Sequence, residues 1–265
     1  MKTNVWKKTL ALWFSLLLLI SVAQPALVAT ASANSAQAAS ISVQVRIEGW
    51  NQTVIPLKQI AIAPYDITNV VGNNSVGNWH QTNSTPLVIH AILKAMELEG
   101  YDVTDEDAID VGYGGNYIRG IAGEWEIDQG PNSGWMYKVN GVLPLLGVGQ
   151  QTLQANDLLE VFYIGDYSTY DFGKITASST SVRTGQSVTF TVSGQPSSWG
   201  TPLPFAPISG ATLSINGSPT TYTTNTSGQA TITFSTPGTY KITANKFGSN
   251  SYNLVRPIPV VIQVN

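Results

Sequence analysis

The chain has 265 residues, of which 43% are hydrophobic and 11% charged, and it contains 24 Gly, 14 Pro and no Cys. Without cysteine it can form neither a disulfide framework nor a cysteine zinc site. Its charged fraction is far below the roughly 25% usual in soluble proteins, and Thr, Ser, Gly and Val are abundant. This composition favours a strand-rich extracellular protein and excludes a long helical bundle.

The first 38 residues have the features of a secretory signal peptide. Three lysines precede an apolar run from Leu10 to Val22, and small residues then offer two cleavage sites, ending at Ala33 and Ala38. The alternative is an uncleaved anchor, but the apolar run is shorter than the ~20 residues that span a bilayer. We therefore expect a secreted or cell-wall-associated protein with no membrane span in its mature chain.

Charge divides the mature chain in two. All 16 acidic residues lie between Glu48 and Asp171. Four basic residues in that range and Arg46 just before it give a net charge of −11, whereas the remainder carries five basic residues and no acid. Such a step predicts a domain boundary, with one domain over 41–171 and a second over 172–265. These segments are called the acidic half and the basic half below.

In the acidic half, alternating apolar residues predict strands over Ile41–Ile47 and Val54–Ile62. Thr85 is expected to cap a helix that begins at Pro86 and stops before Gly100. The apolar face of this helix is predicted to contain Val88, Ala91, Ile92, Ala95 and Met96.

Further strands are predicted over Tyr117–Ile121, Trp135–Val139, Val142–Leu146 and Leu158–Ile164. Asn140-Gly141 is a strong hairpin signal, because both residues tolerate the positive φ of a type I′ turn. Two strands, a helix and then a meander predict an α+β fold of the β-grasp kind.

The basic half predicts an all-β sandwich. Strands are expected over Val188–Val192, Ala211–Ile215, Ala230–Phe234, Thr239–Ala244 and Pro259–Val264. Turn signals separate them, for example Asn216-Gly217 and Pro237-Gly238. With the stretches 184–190, 227–231 and 237–244, this half resembles cysteine-free bacterial immunoglobulin-like surface domains, which implies a spacer or adhesion module.

Catalytic signals are few. His80 and His90 are the two imidazoles, and no nucleophile elbow, zinc-protease helix motif or phosphate-binding loop is present. His90 lies off the apolar helix face and is expected at the surface or half-buried, while His80 is a loop imidazole that could ligate a metal or a corrin cobalt. Glu124 and Glu126 share one side of a strand and suggest a glycosidase acting on extracellular polysaccharide, but acids placed in this way are more often solvated than catalytic. We therefore expect no enzyme.

The densest acidic patch is a calcium candidate with a simpler explanation. It contains Asp102, Asp105, Glu106, Asp107 and Asp110. Read from Asp102, the EF-hand pattern fails, because its sixth position holds Asp107 instead of Gly and its twelfth holds Tyr113 instead of Glu. A solvated loop is the favoured interpretation, and no metal site is predicted.

Aromatic residues among glycines are the stronger binding signal. Tyr113, Tyr117, Trp125, Trp135 and Tyr137 lie close together in sequence. Trp135 and Tyr137 must share one face of their hairpin. They are core residues if that face turns toward the helix, and a platform for a flat ligand if it turns away.

Several motifs of the acidic half carry a family resemblance. They are Thr85-Pro86-Leu87, Gly100-Tyr101-Asp102-Val103, Gly115-Asn116-Tyr117-Ile118, the run from Ser133 to Gly141, and the run from Asn156 to Tyr163. Residues 41–165 thereby resemble the transcobalamin-like C-terminal domain, a bacterial domain of unknown function related to the small cobalamin-contacting domain of transcobalamin and intrinsic factor. The large helical domain that completes the site in those carriers is absent from this sequence.

The resemblance implies a corrinoid site on the hairpin. Carried over, Trp135, Tyr137, Leu145 and Leu146 would make stacking and apolar contacts, and Asn116 and Tyr117 would hydrogen-bond corrin amides. The favoured hypothesis is a non-enzymatic surface protein that captures a small ligand such as cobalamin. The alternative is a structural or adhesion module without a small-molecule site.

The charges also bear on the expected partners. The five basic residues of the basic half are scattered, which argues against nucleic acid. They would still favour an anionic cell-wall polymer, and a surface partner protein is the other expectation.

Overall fold

The computed structural model describes residues 40–65, 67 and 85–265. The predicted signal peptide and His80 lie outside these residues. Within them the chain is mostly β, with 17 strands and one α-helix, and the segment Ala38–Asn265 forms one compact unit. None of the helical structure in the described residues is long and apolar enough to cross a membrane.

The acidic half contains a four-stranded mixed sheet covered by the helix. Its elements are β1 (Ile41–Glu48), β2 (Thr53–Ile62), α1 (Val88–Leu98), β3 (Ile109–Gly112), β4 (Tyr117–Ile121), β5 (Glu124–Trp125), β6 (Gly134–Val139) and β7 (Leu158–Ile164). The main sheet has the order β2-β1-β7-β6, with β1 and β7 parallel and the other pairs antiparallel. Strands β3, β4 and β5 form a small second sheet. A mixed sheet with one covering helix is the arrangement that a β-grasp fold requires. The assignment to that fold class stays a prediction.

The two faces of the main sheet have different roles, because side chains alternate along each strand. One face carries Val45, Val161 and Trp135, which share a buried apolar cluster with α1. The opposite face carries Arg46, Glu160 and Lys138, side by side in the pairing register of β1, β7 and β6. All three of these charged residues are buried.

The helix begins later than its sequence predicts. Thr85 is not its cap and Pro86 is not its first residue; α1 starts at Val88, with Leu87 in extended conformation before it. The reason is tertiary: the N–H groups of Val88 and Ile89 donate to Gln151 O at 2.9 Å and Val148 O at 3.0 Å. The backbone carbonyl groups of residues 148 and 151 therefore accept from the N–H groups at the start of the helix, which a capping side chain would otherwise do. The predicted apolar face is buried and Gly100 has φ +88°, so both of those predictions are confirmed.

His90 completes this helix start and is buried, contrary to the expectation of a surface or half-buried residue. Its Nδ1 accepts the Leu87 N–H at 3.0 Å, so Nε2 carries the proton and donates to Tyr65 O at 3.1 Å. Both ring nitrogens are thus used with the ring neutral. Burial lowers the pKa of His90, and the hydrogen bond to Tyr65 only partly opposes this.

We expect this pKa shift to make stability pH-dependent. A lowered folded-state pKa means that the unfolded chain takes up the proton first, so the free energy of unfolding falls as pH drops below the ordinary value of 6.5. His90→Gln should remove this part of the dependence, since a neutral amide can accept from Leu87 and donate to Tyr65. Urea unfolding at several pH values between about 5 and 7 gives the free energy of unfolding of both proteins as a function of pH. The same pH dependence in the wild type and in His90→Gln would contradict the prediction.

The predicted strand Val142–Leu146 does not form. Asn140 and Gly141 have φ of +52° and +79° and make the expected tight turn, but pairing stops after the single bridge between Val139 and Val142. Pro144 has no N–H to continue a ladder, and Leu143 is instead buried with residues of both halves. The 143–148 segment consequently crosses the end of the sheet as a loop.

Within the described residues, β-strands are the regular secondary structure of the basic half, and turns and loops connect them. They are β8 (Asp171–Ala177), β9 (Ser181–Val182), β10 (Ser187–Pro196), β11 (Ala206–Pro207), β12 (Thr212–Ile215), β13 (Ser218–Thr223), β14 (Gln229–Thr233), β15 (Gly238–Phe247), β16 (Asn253–Val255) and β17 (Val260–Val264). All five predicted strands are present. Their inward residues form a separate apolar cluster around Phe190, Leu213 and Ile242. Strand β15 pairs with β12 and β17 and, at its end, with β16, so it links the two groups of strands.

A mixed apolar and ionic contact, the joint, connects the two halves. Its apolar part includes Phe162 and Leu143 from the acidic half and Phe172 and Val255 from the basic half. Its ionic part is centred on Glu48, as described next. The position of a domain boundary at 171–172 stays a prediction.

Glu48 is the shared acceptor of the joint. It is 1% exposed and accepts from Arg46 Nη2 at 2.5 Å, from Thr53 Oγ1 at 2.8 Å, and from Arg256 Nε of the basic half. Arg46 also donates to Arg256 O at 2.7 Å. Arg256, one of the five charges of the basic half, is therefore partly buried in the joint, with 14% of its side chain exposed.

Candidate functional site

The six residues predicted to bind a ligand surround one cavity, the apolar pocket. Its volume is about 250 Å³. The six are Asn116, Tyr117, Trp135, Tyr137, Leu145 and Leu146. Strands β4 and β6 supply its floor and the 143–148 loop its rim. Because no Val142–Leu146 strand forms, residues 144–148 line the cavity as a loop.

Trp135 and Tyr137 belong to the helix side of the sheet, which decides the choice between core and platform in favour of core. Trp135 is 2% exposed, packs edge-on against Tyr163 with ring centroids 5.3 Å apart, and donates Nε1 to Glu124 O at 2.9 Å. Tyr137 is half-buried, and its hydroxyl donates to Leu146 O at 2.5 Å. These rings hold the pocket in shape and do not present an open face.

The two polar residues predicted to contact corrin amides are engaged within the protein. The Tyr117 hydroxyl lies beside the backbone of Gly134, and burial, with a contribution from Glu126, raises the pKa of Tyr117 to about 12. The Asn116 side-chain amide reaches Tyr113 O at 3.5 Å, and its backbone carbonyl accepts from Val148 at 3.1 Å. Asn116 thereby helps to fix the rim loop.

The mouth of the pocket is apolar and exposed. Leu145 is 80% exposed, Leu146 49%, and Trp199 from the basic half 57%. Gly200 N–H donates to Leu143 O at 3.2 Å, which brings Trp199 to the rim. Sequence reasoning missed Trp199, although a tryptophan flanked by Ser198 and Gly200 in a strand-poor stretch is a detectable signal. Adjacent exposed apolar side chains commonly mark an interaction surface.

The carboxylates considered for chemistry serve structural roles. Glu124 accepts the backbone N–H groups of Trp50 at 2.7 Å and Asn51 at 3.2 Å. Asp102 caps its own turn through Thr104, and Asp110 pairs with Arg119 at 2.5 Å. Among the described residues there is no group of three or more potential metal ligands. The calcium and glycosidase readings gain no support from this geometry.

The joint contains a second concave region, the joint cleft, of about 680 Å³. Glu160 and Gln195 line it, and Phe172 forms part of its wall. Lys138 approaches the same place from β6 and donates Nζ to Gln195 Oε1 at 2.6 Å. Burial lowers the pKa of Lys138 to about 8, and the charge of Glu160 opposes this shift. Burial also raises the pKa of Glu160, and the nearby charges of Arg46 and Lys138 oppose that shift.

Comparison with known proteins gives a partial family match. Residues 92–164 match a family described as a domain of unknown function, DUF4430. The match covers α1 from its fifth residue to the end of β7 and hence most of the apolar pocket, but well under half of the chain. No curated protein matches.

One similar solved structure is described as the D0-D1 domain of Intimin. The identity is 15%, the match covers 51% of this chain, and the TM-score is 0.25. The chain spans 65% of the length of that structure. A likeness at this TM-score does not establish a shared fold. The transcobalamin likeness is not confirmed by these comparisons, which support a match to DUF4430 over residues 92–164.

Proposed function

We propose that this chain is a secreted or cell-surface, non-enzymatic structural or adhesion module. The observation that carries the proposal is the joint, in which Glu48 is shared by Arg46 of one half and Arg256 of the other in a buried ion network. Buried charges tolerate little rearrangement, because separating them leaves an unpaired charge in the interior. Two β-rich halves fixed in this way form a stiff arm that can present a surface at a distance.

The exposed surfaces suit non-covalent attachment outside the cell. Lys174, Arg183 and Lys241 are exposed basic residues of the basic half and would favour an anionic wall polymer. The pocket mouth, with Leu145, would favour a partner protein instead.

Sedimentation with cell envelopes tests the proposal. Purified residues 39–265 are mixed with envelopes isolated from the producing cells, and the protein left in the supernatant is measured. We expect the protein to sediment with the envelopes. If the partner is an anionic polymer, the sedimented fraction should fall in the double variant Lys174→Ser/Lys241→Ser and on addition of salt. If the partner is a protein, it should fall in Leu145→Ser. Leu98→Ser, at the exposed end of α1, is the matched apolar control. Protein that stays fully in the supernatant would contradict an adhesive role.

Corrinoid capture is the second candidate, because six residues named for it line one cavity. The cavity, at about 250 Å³, is smaller than the roughly 300–1,000 Å³ typical of drug-sized ligands, and the Tyr137 hydroxyl is already hydrogen-bonded to Leu146 O. A corrinoid could therefore only rest on the mouth, against Leu145, Leu146 and Trp199.

Titration with cobalamin and cobinamide, followed by tryptophan fluorescence, separates the two candidates. Capture predicts saturable quenching that is weakened in Trp199→Ala and unchanged in Leu98→Ser. The structural or adhesion proposal predicts no saturable change up to high micromolar ligand. Saturable quenching would favour the capture function.

A further inference from the structure

We propose that Lys138 and Gln195 become joined by an intramolecular amide bond, which links the two halves of the chain covalently. Lys138 lies on β6 of the acidic half and Gln195 on β10 of the basic half. They are 3% and 6% exposed, so this is an interior contact between elements that are 57 residues apart in sequence.

The geometry brings the nucleophile to the carbonyl group. Lys138 Nζ lies 2.6 Å from Gln195 Oε1, and since a C=O bond is about 1.23 Å long, Nζ is within about 3.8 Å of Gln195 Cδ. Reacting atoms in a productive conformation are about 3–3.5 Å apart. The remaining approach of Nζ to Cδ requires rotation of one of the two side chains.

The amide is held with its carbonyl toward the lysine. Gln195 Nε2 donates to Leu203 O at 2.7 Å, and because a carbonyl oxygen only accepts, the NH₂ end must face Leu203. The Cδ–Oε1 group then points at Lys138. Phe172 covers the lysine, with its ring centroid 4.1 Å from Nζ, and limits access of water.

Glu160 is the carboxyl group beside the reacting pair, and it also faces Arg46, whose Nη1 lies 3.9 Å from Glu160 Oε1. It is directly opposite Lys138 in the β6–β7 register and lines the joint cleft together with Gln195. Burial favours the neutral forms of both ionisable groups, since it raises the pKa of Glu160 and lowers the pKa of Lys138 to about 8. A neutral amine is the form that attacks a carbonyl carbon.

The reaction balances without an oxidant or a co-reactant. The lone pair of neutral Lys138 Nζ forms a bond to Gln195 Cδ, and the Cδ–Nε2 bond breaks. One proton leaves Nζ and one reaches Nε2. The neutral Glu160 carboxyl gives its own proton to Nε2 and takes up the proton from Nζ, so its protonation is unchanged at the end. Ammonia is released into the joint cleft, and the product is a secondary amide.

Intact mass spectrometry tests the proposal. The intact mass of purified residues 39–265 is measured on fresh protein and after incubation for days at pH values from about 7 to 9, around the lowered pKa of Lys138. We expect the protein to become lighter than its sequence mass by one ammonia. Tryptic digestion should then give a branched peptide that contains Lys138, uncleaved, and Gln195. A sequence mass that persists after incubation would overturn the proposal.

Variants separate this bond from other losses of ammonia. Lys138→Met and Gln195→Met should each keep the sequence mass, and either one suffices if the other fails to fold by circular dichroism. Gln263→Met, which changes an exposed glutamine of the same half, should still lose ammonia. A loss that persists in both joint variants would overturn the assignment. Glu160→Gln should slow the loss, and an unchanged rate would remove Glu160 from the step. None of these results depends on envelope binding, so either proposal can fail alone.

Discussion

Trp135→Ala is expected to lower the free energy of unfolding by about 3–5 kcal/mol, the range for truncating a large buried aromatic residue. Trp135 is 2% exposed in the helix-side cluster, and its ring meets Tyr163 edge-on. The variant leaves a cavity beneath α1 and removes the donor to Glu124 O. Urea unfolding followed by circular dichroism measures the change.

Trp199→Ala is the matched control. It removes the same side chain from the rim of the same pocket, but Trp199 is 57% exposed, so the change in unfolding free energy should stay under about 1 kcal/mol. A small effect of Trp135→Ala, equal to that of the control, would show that the ring is a surface platform. That outcome would revive capture of a flat ligand.

The alternation of apolar residues was enough to predict most strands but not the face each would turn to the interior. Along β6 the sequence shows that Trp135 and Tyr137 share a side, and the structure adds that this side meets α1. The other side carries Lys138, which a local pattern would assign to solvent. Its burial depends on the basic half, which covers this face of the sheet.

A local sequence pattern also does not show contacts between segments that are distant in sequence, so features that depend on such contacts could not be predicted. The start of α1 is set by the carbonyl groups of Val148 and Gln151, about 60 residues away, and by His90, which faces back onto Leu87. The pocket residues were found because they lie close together in sequence. Trp199, contributed by the other half, could not be placed beside them by spacing alone.

The second large loss of unfolding free energy is expected for Glu48→Ala, which removes the central acceptor of the joint. Removal of this carboxylate leaves Arg46, which is 2% exposed, with the longer 3.9 Å pair to Glu160, and leaves Arg256 with amide and backbone acceptors. Breaking a buried ion pair from one side typically costs about 3–5 kcal/mol, because the remaining charge stays desolvated after losing its partner. We expect a loss of that size in urea unfolding, larger than the value of any surface ion pair.

An exposed pair of the same chemistry provides the control. Lys58 and Glu99 form an ion pair whose side chains are 26% and 36% exposed, and Glu99→Ala should cost under about 1 kcal/mol. If Glu48→Ala costs no more than that, the joint opens easily and the halves move independently, which would remove the basis for a stiff arm. If it costs several times more, part of the stability of each half resides in its contact with the other. Cooperative unfolding of the whole chain then follows, and Glu48→Ala should separate one transition into two.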